Sequence, residues 1–287
     1  MKQQPHQVHV IGASGRSGQA LCHALVGQDI GVVPVVRNVA RFKALSVSPL
    51  VADLTDPAAL KAALAGASHI VSCAHARFAG AILDAAPPDA TFVFLGSTRK
   101  FSRWPDEHGN GVRLGESAFL SSRRCGVILH PTMIYGASGE NNVQRLASLL
   151  RRLPIVPLPN AGRSLLQPIY QADVTRSVLA ALTHNWSGPH VMVIAGPQAV
   201  SYADFVRAVA QAAGLRPPQI MSLPAWLLQS LAPLLRFIPR MPHVSIDEIK
   251  RLLEDKNFEI TAMRDILQVE PVQLAQGLSL TFQSHPK

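Results

Sequence analysis

The stretch Gln7-Val8-His9-Val10-Ile11-Gly12-Ala13-Ser14-Gly15-Arg16-Ser17-Gly18 decides how this chain folds. Gln7–Ile11 reads as a short β-strand, and 15–26 reads as a helix with Ala20, Leu21, Ala24 and Leu25 on one face. Glycines occupy the join. Without a Cβ, glycine accepts the backbone angles of a tight turn and lets N–H groups come close to an anion. The helix behind the turn adds unpaired N–H groups and the positive end of its dipole. A glycine triplet alone is a loose pattern. Placed between a strand and a helix at the start of a βαβ unit, it points to the pyrophosphate of a dinucleotide.

The alternation continues outward from this unit. Residues 31–36 (GVVPVV), 50–52, 69–73 (HIVSC), 91–95 (TFVFL) and 126–129 (GVIL) are apolar runs of strand length, with helical stretches between them. Asp56-Pro57 marks one helix start, with proline in the first turn. Strands that are apolar throughout, each followed by a helix, imply a parallel sheet covered on both faces. Right-handed crossovers then make it doubly wound, an α/β Rossmann architecture over residues 1–150. Beyond residue 150 the pattern changes. Pro154, Pro157, Pro159, Gly162 and Pro168 punctuate a loop-rich stretch, followed by a helix at 174–182, a strand at 190–195 and a helix at 202–213. This predicts a smaller α/β C-terminal substrate or lid region over 151–287, with segments at about 165–183 returning to the first domain. Residues 223–238 (LPAWLLQSLAPLLRFI) are apolar at helical spacing, with Arg236 as the sole formal charge. They read as a core or lid helix, with a membrane-lying or partner-binding helix as the alternative.

The end of the second strand bears on which dinucleotide is bound. NAD sites commonly present an acid there to the ribose 2′-hydroxyl. This chain has Val35-Val36-Arg37-Asn38, with Arg41 and Lys43 behind and no acid, and Arg16 in the glycine loop can reach the same place. Guanidinium groups make charge-assisted pairs with a 2′-phosphate and gain nothing comparable from a hydroxyl. NADP(H) is therefore favoured over NAD(H). Asp53, after the third strand and ahead of Leu54, has two readings: a hydrogen-bond acceptor for the adenine amine, or a turn-capping acid.

Bulk composition narrows the remaining classes. Of 287 residues, 48% are hydrophobic and 16% charged, which excludes a disordered chain. No stretch is apolar for the roughly 18 residues that a spanning helix needs. Residues 1–7 carry no apolar leader, so a cytoplasmic location is expected, with peripheral membrane attachment as the alternative. Cys22, Cys73 and Cys125 have no CxxC spacing and read as reduced structural thiols. The 11 histidines form no HxH or HxxxH pair, so no metal site is expected. A net charge of +9 suits an anionic partner, but the basic residues are not interleaved with aromatics, and nucleic acid is not expected. The expected partner is a small molecule, with a larger complex or a membrane surface as the alternative; the oligomeric state has no signal in the sequence.

Several segments, in order, resemble the extended and atypical short-chain dehydrogenases/reductases. That family includes the NAD(P)-dependent sugar-nucleotide epimerases and dehydratases and the NADPH-binding accessory subunit of respiratory complex I. The segments are Gly12-x-x-Gly15-x-x-Gly18, then 91–97 (TFVFLGS), 130–136 (HPTMIYG), 167–174 (QPIYQADV) and 194–205 (IAGPQAVSYADF). The resemblance implies that Gly12, Gly15 and Gly18 hold the pyrophosphate, and Ser14, Arg16 and Ser17 of the same loop are further cofactor-binding candidates. It implies that Arg37 holds the 2′-phosphate and that Ser72, Cys73 and Ala74 line the nicotinamide ribose, while Asp53 and Leu54 stay cofactor-binding candidates from their place after the third strand. It places Pro131 beside the carboxamide and Ser97 as the catalytic or substrate-orienting serine.

The chain departs from that family where its catalysis is centred. The usual pair is Tyr-x-x-x-Lys on the helix after strand five, the tyrosine as acid/base and the lysine lowering its pKa. Here the three tyrosines are Tyr135, Tyr170 and Tyr202, and Lys100 is the sole lysine between Lys61 and Lys250. The helix reads Asn110-Gly111-Val112-Arg113-Leu114-Gly115-Glu116-Ser117. Arg113 and His108 are secondary candidates, Arg113 as a ribose-binding cation and His108 as a replacement acid/base. Arg99 and Lys100 face a substrate or are surface charges, and Tyr135 is expected to pack. Before the 167–174 segment, Arg163 stands a few residues away from the family's diphosphate-binding arginine and Leu165-Leu166 are apolar, which favours an apolar substrate over a nucleotide sugar. Two functions remain open: an NADP(H)-dependent oxidoreductase or epimerase-like enzyme, and a non-catalytic NADPH-binding sensor or accessory subunit.

Overall fold

Strand β1 (Gln7–Ile11) runs into the turn at Gly12 and then into helix α1 (Arg16–Val26), as the opening residues require. In the computed structural model, which describes residues 5–43, 47–136, 142–228, 230 and 250–283, this unit begins a chain of parallel strands. They are β2 (Gly31–Val36), β3 (Leu50–Val51), β4 (His69–Ser72), β5 (Thr91–Leu95) and β6 (Gly126–Pro131). Between them lie α2 (Pro57–Ala63), α3 (Ala79–Ala85) and α4 (Glu107–Ser122). Asp56 starts α2 as its position ahead of Pro57 predicts, its carboxylate accepting from the N–H groups of Ala58 at 3.0 Å and Ala59 at 3.1 Å.

One seven-stranded sheet has the order β11-β6-β5-β4-β1-β2-β3, where β11 is Pro189–Ile194. All its pairings are parallel. The order reverses between β1 and β4, and in open parallel sheets the crevice at such a reversal, outside the carboxyl ends of the strands, is where ligands bind. The return from the second half of the chain into this sheet runs as far as Ile194, beyond the expected 165–183. Helix α6 (Gln171–Leu182) packs on α1, and β11 extends the sheet beside β6 from Pro189↔Gly126 to Ile194↔Pro131.

Alternate residues of each strand feed opposite layers, the period-two geometry of a sheet buried on both faces. Val71, Val93, Leu95, Val127 and Leu129 join Leu21, Leu25, Val174 and Val178 on one face. Ile70, Phe92, Phe94 and Ile128 join Leu60, Ile82, Val112 and Phe119 on the other. Full burial of such side chains stabilises by about 1.5–3 kcal/mol each. A third cluster belongs to the second half: Tyr135, Val143 and Ala147 with Leu158, Leu166, Phe205, Val209 and Leu278. It joins α5 (Asn142–Leu150), α7 (Tyr202–Ala212) and the helix Leu274–Gln283 to the short pairs β7 (Ile134–Tyr135) with β10 (Ile169–Tyr170), β9 (Leu165–Leu166) with β12 (Val200–Ser201), and β8 (Ile155–Pro159) with β13 (Gln219–Leu223). Tyr135 packs as expected. Of the apolar stretch 223–238, Leu223 closes β13, and 229 and 231–238 lie outside the described residues.

Candidate functional site

The glycine loop is shaped by two contacts. Gly12 has φ +74°, the left-handed region, and a Cβ there would stand 3.0 Å from the backbone N of Ala74. A Cβ on Gly18, inside α1, would stand 2.3 Å from the Gly12 carbonyl oxygen and 2.8 Å from Ala13 Cα. Gly18 is thus what lets the helix sit directly on the loop. Gly15 precedes α1 at φ −77°, an ordinary angle, and its N–H closes the turn onto the Gly12 carbonyl at 2.9 Å. Ser17 Oγ donates to Gln171 Oε1 at 3.3 Å, tying the loop to α6. The β4 end lies alongside: Cys73 N–H donates to the Ile11 carbonyl at 2.9 Å, and Ser72 is buried beside Ile11.

Next to this loop is a cavity of about 330 Å³, lined by Gly12, Ser14, Arg37, Asp53, Leu54 and Ala74 together with Ile11, Val35, Asn38, Arg41, Ala52 and Phe78. Six of the residues singled out by sequence therefore surround one space. Arg16 does not line it; Arg41 does. Asn38 Oδ1 accepts from Ala40 N–H at 2.9 Å, and the resulting short turn carries Arg41 back toward Arg37. Asp53 Oδ1 accepts from Thr55 N–H at 2.9 Å and Oγ1 at 2.7 Å, so it caps a turn while lining the cavity. These bonds, and the charge of Arg37, hold its carboxyl below the usual carboxylate range. Phe78 is the lining residue the sequence reading missed; it closes the short turn Ala76–Phe78, six residues beyond the β4 end, where no periodicity marks it.

A second cluster lies at the carboxyl ends of β5 and β6. The backbone N–H of Ser97 donates to His130 Nδ1 at 3.1 Å. That fixes the imidazole proton on Nε2, which lies 2.5 Å from Glu116 Oε2. Lys100 Nζ pairs with the same carboxylate oxygen. Burial, with the Lys100 charge second, pushes the His130 pKa down to about 4, so the ring is neutral at neutral pH. Ser97 Oγ accepts from Arg99 N–H at 3.1 Å, opening the turn Thr98–Phe101. Arg99 Nε donates to Asp106 Oδ2 at 2.6 Å, and Asp106 Oδ1 accepts from Gly109 N–H at 2.7 Å to cap α4. Arg99 and Lys100 are therefore both engaged in ion pairs. Arg113 is not brought to the cluster: it is exposed on α4 and donates to Asn110 Oδ1 at 2.9 Å.

The neighbourhood of the expected nicotinamide site has an orphan. Thr132 Oγ1, just beyond β6, is buried with no hydrogen-bond partner among the described residues. Pro131, immediately before it, is buried, and its carbonyl accepts from Thr98 Oγ1 at 3.3 Å. A buried hydroxyl without a partner costs free energy unless a ligand or water completes it. Burial pushes the Cys73 thiol up to about 12, so it is neither a thiolate nor a nucleophile at neutral pH. His75 lies three residues beyond the β4 end, and its ring meets that of His108 edge-on, centroids 4.4 Å apart. One segment from late in the chain closes over the Ser97 loop. Glu254, which is buried, accepts from Ser102 Oγ at 2.9 Å and Arg103 N–H at 2.6 Å, and Arg251 lies 3.7 Å from Asp106. No group of three or more His, Cys, Asp or Glu suited to a metal occurs among the described residues, and no helix among them is long and apolar enough to cross a membrane.

Residues 12–100 match the family model described as NAD(P)H-binding. This segment is an NAD(P)H-binding domain. No curated protein sequence matches the chain. Solved structures similar in fold include UDP-glucose 4-epimerase of Thermotoga maritima with UDP-glucose, 16% identical with a TM-score of 0.72, covering 97% of this chain and 98% of that one. The NADPH-dependent quinone oxidoreductase of Escherichia coli complexed with NADPH is 16% identical with a TM-score of 0.74, covering 96% and 99%. MoeE5 in complex with UDP-glucose and NAD is 17% identical with a TM-score of 0.72, covering 97% and 98%. The NAD(P)H-binding domain thus sits in the whole-chain fold shared by NAD(P)-dependent epimerases and oxidoreductases, the fold that the resemblance to extended short-chain dehydrogenases/reductases implies.

Proposed function

We propose that the protein is an NADP(H)-dependent oxidoreductase acting on a small, largely apolar carbonyl or alcohol. The observation that carries this reading is the convergence of Arg37, Asn38 and Arg41 on the cavity beside Gly12 and Ser14, with no acid at the β2 end. Two guanidinium groups there suit a 2′-phosphate and give little to a 2′-hydroxyl. Gly12, Ser14 and Gly15 would hold the pyrophosphate, Asp53 and Leu54 the adenosine, and Thr132 Oγ1 would find its missing partner in the nicotinamide amide. Bound NADP(H) would supply hydride transfer at the nicotinamide C4. Ser97, whose Oγ already accepts from Arg99 N–H, keeps its hydroxyl proton to donate to a substrate oxygen.

Binding decides the cofactor choice. NADPH should bind at least tenfold tighter than NADH. Arg37→Ala should weaken NADPH by about tenfold, near 1.4 kcal/mol for one exposed charge-assisted contact, and leave NADH within threefold. Equal affinities for the two cofactors in the unaltered protein overturn the assignment. The absence of Tyr and Lys from α4 favours a second reading, a protein that holds NADPH without turning it over. Retention of NADPH without oxidation by any of a panel of aldehydes, ketones and quinones would select it.

A further inference from the structure

We propose that the outer face of the strand pair β8 and β13, with the arginines at its amino end, docks the protein onto an anionic phospholipid surface. The proposal goes beyond the oxidoreductase reading and does not depend on it. It starts from where the charge lies. Residues 141–172 and 205–246 together hold eight arginines and no lysine, aspartate or glutamate. The whole chain has a net charge of +9, so the remainder is close to neutral. β8 belongs to the first of these segments and β13 to the second, and the two pair in parallel from Ile155↔Gln219 to Pro159↔Leu223. The fold thus sets the two acid-free segments side by side.

A two-stranded sheet packed on a core has one face to bury and one to leave outside. Alternation turns Val156 and Leu158 into the third core cluster, with Ile220 packed against it. The opposite face of such a pair is ordinarily polar. Here it carries Ile155, 45% exposed, and Met221, 44% exposed, with Pro157 beside Met221 in register. Trp226, three residues beyond β13, is 67% exposed, the most of any large apolar side chain among the described residues. Apolar residues scattered over a surface are ordinary, but these three stand on one strand pair and the turn that leaves it.

Because the two strands run parallel, the residues leading into them arrive at the same end. Arg151-Arg152 lead into β8 and Arg216 into β13, all three exposed. The two leads are joined where Gln219 N–H donates to the Pro154 carbonyl at 2.9 Å. Of the eight arginines, Arg207 is engaged by Asp204 on its own helix. The arrangement fits the interface of a bilayer. Guanidinium groups pair with lipid phosphates, an indole favours the headgroup level, and aliphatic side chains enter the acyl boundary. A nucleic-acid backbone would engage the arginines and leave Ile155 and Met221 against phosphate and water. No helix among the described residues is long and apolar enough to cross a membrane, so the contact proposed is one that lies on the surface.

Sedimentation of the full chain with lipid vesicles tests this. The protein should pellet with equimolar phosphatidylcholine and phosphatidylglycerol and stay in solution with phosphatidylcholine alone. A basic side chain at an anionic surface strengthens partitioning about fivefold, so Arg151→Gln with Arg216→Gln should weaken it by roughly 25-fold. Lys61→Gln with Arg123→Gln removes two exposed charges from the other half of the chain and should weaken it by less than about threefold. Trp226→Ser should weaken it about tenfold. Phosphatidylcholine brominated on its acyl chains, in the same equimolar mixture, should quench the tryptophan emission of the unaltered protein more than that of Trp226→Phe. A contact made by charge alone would give no such difference. Each variant should keep the circular-dichroism spectrum and Tm of the parent. No pelleting with the anionic vesicles, equal losses in the two double-charge variants, or equal quenching in Trp226→Phe overturns the proposal. Retention on duplex DNA without retention on vesicles also overturns it and assigns the arginines to nucleic acid.

Discussion

Glu116→Gln probes the support under Ser97 with the least change of shape. Glutamine keeps an acceptor oxygen for His130 Nε2–H and removes only the negative charge. Lys100 then keeps its ammonium in a site where its side chain is 11% exposed, beside a position 18% exposed and a histidine ring 0% exposed. Breaking a fully buried ion pair by removing one partner costs about 3–5 kcal/mol. The residual water access here reduces this to about 2–3 kcal/mol, a fall in Tm of roughly 5 °C. The double variant Lys100→Met with Glu116→Gln removes both charges and should regain at least half of the loss, giving a coupling of about 1–2 kcal/mol in a double-mutant cycle read by urea denaturation. Nitrogen NMR of the His130 ring should report the Nε2–H tautomer in both the unaltered protein and the single variant. A single variant within about 0.5 kcal/mol of the parent, or a double variant no more stable than the single, would refute the charge argument.

Two further outcomes follow from the same geometry. His130 is held neutral with its pKa near 4 against 6.5 unfolded, so the unfolded chain binds more protons between these values. Its contribution, about 3 kcal/mol, is complete above about pH 6.5 and is lost as the pH falls toward 4; His130→Gln should flatten that limb of a stability–pH curve, and an unchanged limb counts against it. Gly18→Ala places a Cβ 2.3 Å from the Gly12 carbonyl oxygen, a backbone atom that cannot move without shifting the loop. Overpacking of this kind costs about 1–3 kcal/mol, and NADPH affinity by fluorescence titration should fall by more than tenfold; retained affinity would separate the loop from cofactor binding.

Most of the first 130 residues was legible in order. The strands at Gln7–Ile11, Gly31–Val36 and Thr91–Leu95 have the bounds that their apolar runs predict, because a strand buried on both faces has to be apolar along its whole length. The last strand of the sheet was legible as an element and not as a member. Residues 190–195 read as a strand, and Pro189–Ile194 forms one, but its place beside β6 is a matter of topology that periodicity does not carry. The glycine loop and Arg37 were visible because each acts through its own backbone position or its own charge. The sequence offered Arg113 as a ribose-binding cation and Lys100 as a substrate-facing or surface charge. Helical phase separates them, turning Arg113 toward Asn110 and solvent while Lys100 turns in to Glu116.

The sequence alone determined that residues 7–26 form a strand, a glycine turn and a helix, and that no Tyr-x-x-x-Lys stands on the helix after strand five. Those are local properties, set by residues within a few positions of one another. Only the tertiary structure decided what stands near that gap. Ser97 and His130 are 33 residues apart, Arg103 and Glu254 151 apart, and His75 meets His108 across two different crossovers. Contacts of that range are fixed by how strands and helices stack, and side-chain identity leaves no mark of them along the chain.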